Sequence, residues 1–94
     1  MVWADAGGID WPVTVRSARP GDDFRPLGLG GSKKVHDFFI DSKVPRRLRP
    51  TVPVYVDGIG VIAVGARVDE RVRVTQKTEQ VAVFAMTGET AGQS

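Results

Sequence analysis

Lys43-Val-Pro-Arg-Arg-Leu-Arg-Pro50 places four bases within seven residues, around two apolar positions, Val44 and Leu48. The planar forks of Arg46, Arg47 and Arg49 suit phosphate oxygens bidentately, and the Lys43 ammonium adds a point charge. Val44 and Leu48 can anchor the turn while the bases face out, and the prolines argue for a fixed shape; the ordinary alternative is a solvated basic face. A second stretch, Gly28-Leu-Gly-Gly-Ser-Lys-Lys34, sets glycines before a helix start and follows them with Lys33 and Lys34. Backbone N–H groups and the helix dipole favour an anion at such a place. It is no nucleotide P-loop, because Ser32 precedes the lysine, and Lys33 occupies the third-glycine position of a dinucleotide fingerprint. A plain connector with an N-cap remains open as the alternative. A third stretch, Arg19-Pro-Gly-Asp22 with Asp23 and Arg25, reads as a turn in which Asp22 accepts backbone N–H groups. Arg19 and Arg25 then stand at the margin of a basic surface.

The formal charge of the 94 residues is only +2, but it is unevenly spread. From Arg16 to Arg49 there are nine bases against four acids, +5; the remainder has four bases against seven acids, −3. A basic half invites a polyanion. Catalysis is poorly provided for. The single histidine, His36, has no evident nucleophile partner, and no cysteine exists to build a thiolate metal site. No catalytic, cofactor-binding or metal-ligating residue is therefore expected. The lack of cysteine fits a reducing cytoplasm, and neither a signal peptide nor a membrane span is expected.

A chain of this length is one domain with a modest core. Residues 1–12 read as an irregular lead-in whose tryptophans pack on the body. Val13–Val15 and Pro53–Val56 read as strands, and Asp57-Gly58 as a tight hairpin leading to a strand over Ile59–Val64. Val68–Thr75 alternates as another strand, and Gln80–Phe84 closes the series. Ser32 is expected to N-cap a helix over about 33–42, with Val35, Phe38 and Phe39 on its apolar stripe and Ile40 off it. Pro45 suits the first position of a short helical turn over 45–49. Residues 86–94 carry no core-forming pattern and read as a disordered tail. The expected class is α+β: a β-rich, sandwich-like domain with one main helix.

The blocks Arg19-Pro-Gly-Asp-Asp-Phe-Arg-Pro-Leu-Gly28, Gly31-Ser-Lys-Lys-Val-His-Asp-Phe-Phe-Ile-Asp41, Lys43-Val-Pro-Arg-Arg-Leu-Arg49 and Val52-Pro-Val54 together resemble the C-terminal domain of tRNA(Ile)-lysidine synthases. The resemblance runs from about Val13 to Phe84, within a single domain over 13–85. It implies a tRNA-binding module, similar in fold to a β-rich domain of the phenylalanyl-tRNA synthetase β subunit. In the parent enzymes lysine is joined to the wobble cytidine of an isoleucine tRNA, with ATP and Mg in an N-terminal catalytic domain. The Ser-Gly-Gly-x-Asp-Ser loop of that domain does not occur here. The resemblance thus implies a chain that is not itself an enzyme, holds the tRNA on its acceptor-stem side and works beside the other domains of the synthase. The RNA-binding residues expected are Arg19, Arg25, Lys33, Lys34, Lys43, Arg46, Arg47 and Arg49. The rival reading is a domain that packs within the parent through Val52–Val64 and touches no RNA.

Overall fold

The computed structural model describes residues 2–84. Its strands are β1 (Val2–Asp5), β2 (Thr14–Arg16), β3 (Asp23–Phe24), β4 (Lys33–Lys34), β5 (Val54–Val56), β6 (Val61–Val64), β7 (Arg67–Val68) and β8 (Val81–Phe84). One helix, α1, spans Val35–Asp41, and short 3-10 turns cover Ala6–Gly8, Arg46–Thr51 and Glu70–Val72. The expected α+β, sandwich-like class holds. A four-stranded antiparallel sheet runs β2-β5-β6-β7, and two antiparallel pairs, β1-β8 and β3-β4, stand outside it.

Alternation along the central strands explains the layering. Successive strand residues point to opposite faces, so Val54 and Val64, paired across β5 and β6, face one side, and Tyr55 and Ala63 face the other. The first face packs on Phe24, Val35 and Phe39; the second packs on Val2, Ala4, Ile9 and Val72. Between Tyr55 and Val56 the register slips by one, leaving Ile62 as an extra residue in β6. This bulge sends Ile62 and Ala63 to the same core, and Ile62 is fully buried. With both faces covered, every residue of β6 is buried.

Several local expectations need correction. The lead-in over 1–12 is not irregular throughout: β1 pairs with β8 from Val2↔Phe84 to Asp5↔Val81, and Val2 and Ala4 are buried. The pairing is non-local, so nothing in the first twelve residues signals it. The helix starts two residues later than expected. Lys33 and Lys34 are drawn into a pair with β3, Lys34 becomes the N-cap, and no side chain caps the helix. The turn expected over 45–49 is a 3-10 turn with Pro45 at its N-cap rather than at its first position, and it continues through Pro50. The strand expected over Val68–Thr75 is cut to β7. Asp69 turns inward at 5% exposure and caps the Glu70–Val72 turn by accepting the Arg71 N–H at 2.7 Å. Val68 and Val72 are both buried, but as residues four apart, one at the end of β7 and one closing that turn. The tail over 86–94 lies outside the described residues.

Gly65 makes the β6–β7 reversal possible. Val64 pairs with Arg67, leaving two residues in the turn, and Gly65 takes φ +58° with its Cβ position already against Val52. A side chain there meets the steric penalty of left-handed backbone. Gly65→Ala is expected to cost about 1–2 kcal/mol in urea unfolding; an unchanged midpoint would refute the assignment.

Candidate nucleic-acid interface

Three segments converge beside the face of the sheet that carries Phe39. The end of β2 is tied to the basic turn where Ser17 Oγ–H donates to the Pro50 carbonyl at 2.8 Å. The 19–22 turn closes on itself, Asp22 N–H donating to Arg19 O at 3.1 Å. It is tied to the helix where Val35 N–H donates to Asp22 O at 2.9 Å. A cleft of about 430 Å³ lies among them, lined by the 18–21 turn, by His36 and Phe39 of α1, and by Arg49.

Asp22 organises this corner as the structural reading expects. Its carboxylate accepts both terminal nitrogens of Arg16, at 2.7 and 3.0 Å, and the Arg19 N–H at 2.8 Å. The side-chain bond to Arg16, against the opposing effect of desolvation, holds the Asp22 carboxyl below its ordinary range. Arg16 is thereby spent on the fold, and the Arg19 guanidinium is left without an ion pair among the described residues.

The other expected contacts divide. Arg49 is half-buried; its Nε–H donates to the Val44 carbonyl at 3.1 Å, which holds the guanidinium against its own turn. Arg46 and Arg47 are exposed on the same turn. Lys43 is exposed just after α1 with φ +59°. It ends the helix in place of a glycine, its N–H donating to Ile40 O and the Val44 N–H to Phe39 O. Lys34 is exposed on β4. Lys33 is different: it forms an ion pair with Asp41 of α1.

Arg25 stands apart from the cleft. Its backbone is held by Asp69 and Glu70, and its side chain lines an open hollow with Arg71 and Arg73. The glycine loop does not lead directly into α1: Lys33 and Lys34 intervene as β4, and the first helical N–H bonds to Asp22 O.

Sequence reasoning missed the place of His36, which lines the cleft from an exposed helical position. It also missed Arg67, whose guanidinium lies 5.7 Å from the centre of the Phe38 ring. Neither relation has a local signal. Among the described residues no group of three or more His, Cys, Asp or Glu is placed to hold a metal ion. No helix among them is long and apolar enough to cross a membrane.

These features define a small α+β domain with uncompensated cations on exposed turns. The family model described as the TilS substrate C-terminal domain matches residues 13–84, and the chain belongs to that family. It is 41% identical over 87 residues to a tRNA(Ile)-lysidine synthase of Geobacter sulfurreducens, covering 92% of this chain and 18% of that protein. It is 39% identical over 82 residues to the synthase of Caldanaerobacter subterraneus, again covering 18% of the relative. The chain thus spans less than a fifth of either protein. A solved structure described as a TilS C-terminal domain superposes with a TM-score of 0.71 at 27% identity, covering 85% of this chain and 62% of that one.

Proposed function

We propose that this domain grips tRNA for a tRNA(Ile)-lysidine synthase, holding an isoleucine tRNA on its acceptor-stem side. Lysidine formation at the wobble cytidine would proceed in another domain, where ATP and Mg bind, and the work is cytoplasmic. The observation that carries this reading is the state of the cations. Of the eight bases expected to meet RNA, only Lys33 has a carboxylate partner among the described residues. Ion-paired bases would have to break those pairs before meeting phosphate; these need not. Lys43, Arg46, Arg47 and Arg49 follow one another along the chain, and Arg19 joins them across the cleft. Recognition of an A-form stem by such a surface rests on shape and charge. A gel-shift titration with an acceptor-stem hairpin at two salt concentrations tests it. Neutralising about four to six phosphates gives a log–log slope of about −4 to −5. A flat dependence would remove the basis for the reading.

A second reading, packing against another domain of the parent, has one observation in its favour. Trp3, Val81 and Val83, on the β1-β8 pair, are 57%, 41% and 46% exposed. Within the span expected to serve that role, Val52–Val64, Val54, Tyr55 and all of β6 are buried inside the domain, because the central strands are covered on both sides, while Ile59 is 69% exposed.

A further inference from the structure

We propose that the cleft between the 18–21 turn, α1 and Arg49 takes a single unpaired nucleotide at the end of an RNA stem, its phosphate on Arg19 and Arg49 and its base on the apolar floor. This inference rests on the tRNA-gripping reading and gives the surface a second, more selective contact.

Size is the first argument. The cleft holds about 430 Å³, toward the lower end of the roughly 300–1,000 Å³ usual for small-ligand sites. One nucleotide fits such a space; a double helix can only lie across its rim. Chemistry is the second. Arg19 and Arg49 lie thirty residues apart in sequence and line one cleft, which His36 lines as well. Neither arginine has an ion-pair partner among the described residues. Asp22, in the same turn as Arg19, is already engaged by Arg16 and by the Arg19 backbone. The rim is therefore cationic without an internal competitor, which suits a phosphate.

The floor distinguishes a nucleotide from an inorganic anion. Ala18 and Pro20 supply the apolar floor, over the edge of Phe39, which is only 3% exposed, and a hydrated anion gains nothing from covering them. A flat base does, and unpaired bases at RNA ends are free to be splayed onto such surfaces. Pre-organisation is the third argument. The Ser17–Pro50 and Val35–Asp22 bonds fix the walls relative to one another, so little ordering cost falls on binding. The His36 ring, exposed at the wall, can donate to or accept from a base edge.

The test compares the 94-residue chain with a blunt RNA hairpin and with the same hairpin carrying a four-nucleotide 3′ extension. Adenosine 5′-monophosphate is titrated in parallel and followed by amide shifts. The extended hairpin is expected to bind about tenfold more tightly. The monophosphate should shift the amides of Gly21, His36 and Arg49. Ala18→Leu, which fills the apolar floor of the cleft without altering the basic turn, should abolish the tenfold preference while blunt-hairpin affinity stays within about twofold. His36→Leu, which removes the polar group at the wall, repeats the comparison should the Ala18 change perturb packing.

Equal affinity for the two hairpins, or a preference that survives both variants, would overturn the cleft assignment and leave the stem-binding reading intact. Shifts with the monophosphate but no binding of either hairpin would support the cleft and overturn the stem. No response to any of the three probes would overturn both.

Discussion

Asp57→Ala is expected to destabilise the domain by about 3–4 kcal/mol, toward the lower end of the range for breaking a buried ion pair. The Asp57 side chain is fully buried and gathers three separate segments. Its Oδ1 accepts from Arg71 at 2.9 Å and from the Ile59 and Gly60 N–H groups; its Oδ2 accepts from Arg71 at 3.0 Å and from the Asp10 N–H. Arg71 in turn donates to the Gly8 carbonyl at 3.1 Å. Truncation strands three backbone donors and leaves the 30%-exposed Arg71 side chain with only the Gly8 carbonyl, whereas an exposed pair would be worth at most about 1 kcal/mol. For a domain of this length the melting temperature should fall by roughly 12–30 °C. A loss under about 1 kcal/mol would show that the network does not hold the segments.

The same carboxylate gives the fold an acid-sensitive element. Burial alone would raise its pKa, but Arg71 and the N–H groups of Asp10, Gly60 and Ile59 together outweigh that and hold it well below the usual carboxylate range. A group whose folded pKa is depressed contributes stability above its unfolded value, about 3.9 for aspartate, and loses that contribution as pH falls below it. The stability of the unsubstituted chain, read by urea unfolding, should therefore fall progressively below about pH 4. The Asp57→Ala curve should be flatter over the same interval.

Reversing Arg46 and Arg47 to glutamate is expected to weaken hairpin binding by at least about thirtyfold near 0.1 M salt and to reduce the log–log slope by about 2. The double reversal changes the net charge by four units, from +2 to −2. Both side chains are exposed and neither has an ion-pair partner among the described residues. The fold should consequently be insensitive, each change staying within about 0.5 kcal/mol. That separation makes the experiment decisive: a lost slope with an unchanged melting temperature reports phosphate contact, not damage. Unaltered affinity would sink the RNA-gripping reading and favour packing through the exposed β1-β8 face.

Local pattern was enough to locate much of this molecule. The Val35, Phe38 and Phe39 spacing announced α1, and Phe39 does enter the core. Runs of β-branched residues announced β2, β5, β6 and β8 to within a residue or two. The clustering of bases between two prolines announced an exposed cationic turn, and the ordered blocks from Arg19 to Val54 announced the family. Each of these signals lies within a dozen residues or in the order of short segments, so no knowledge of the folded chain was required.

What the folded chain alone decided depends on partners far apart in sequence. Val2 meets Phe84, Asp57 meets Arg71 and the backbone of Asp10, and Arg19 lines the same cleft as Arg49. Asp57 and Asp69 look like ordinary turn or surface residues until the segments that bury and satisfy them arrive. Sequence pattern settled which residues were apolar and which were charged. The tertiary structure settled which charges were consumed in holding the fold and which stayed free, because ion pairing and burial act between neighbours in space and not along the chain.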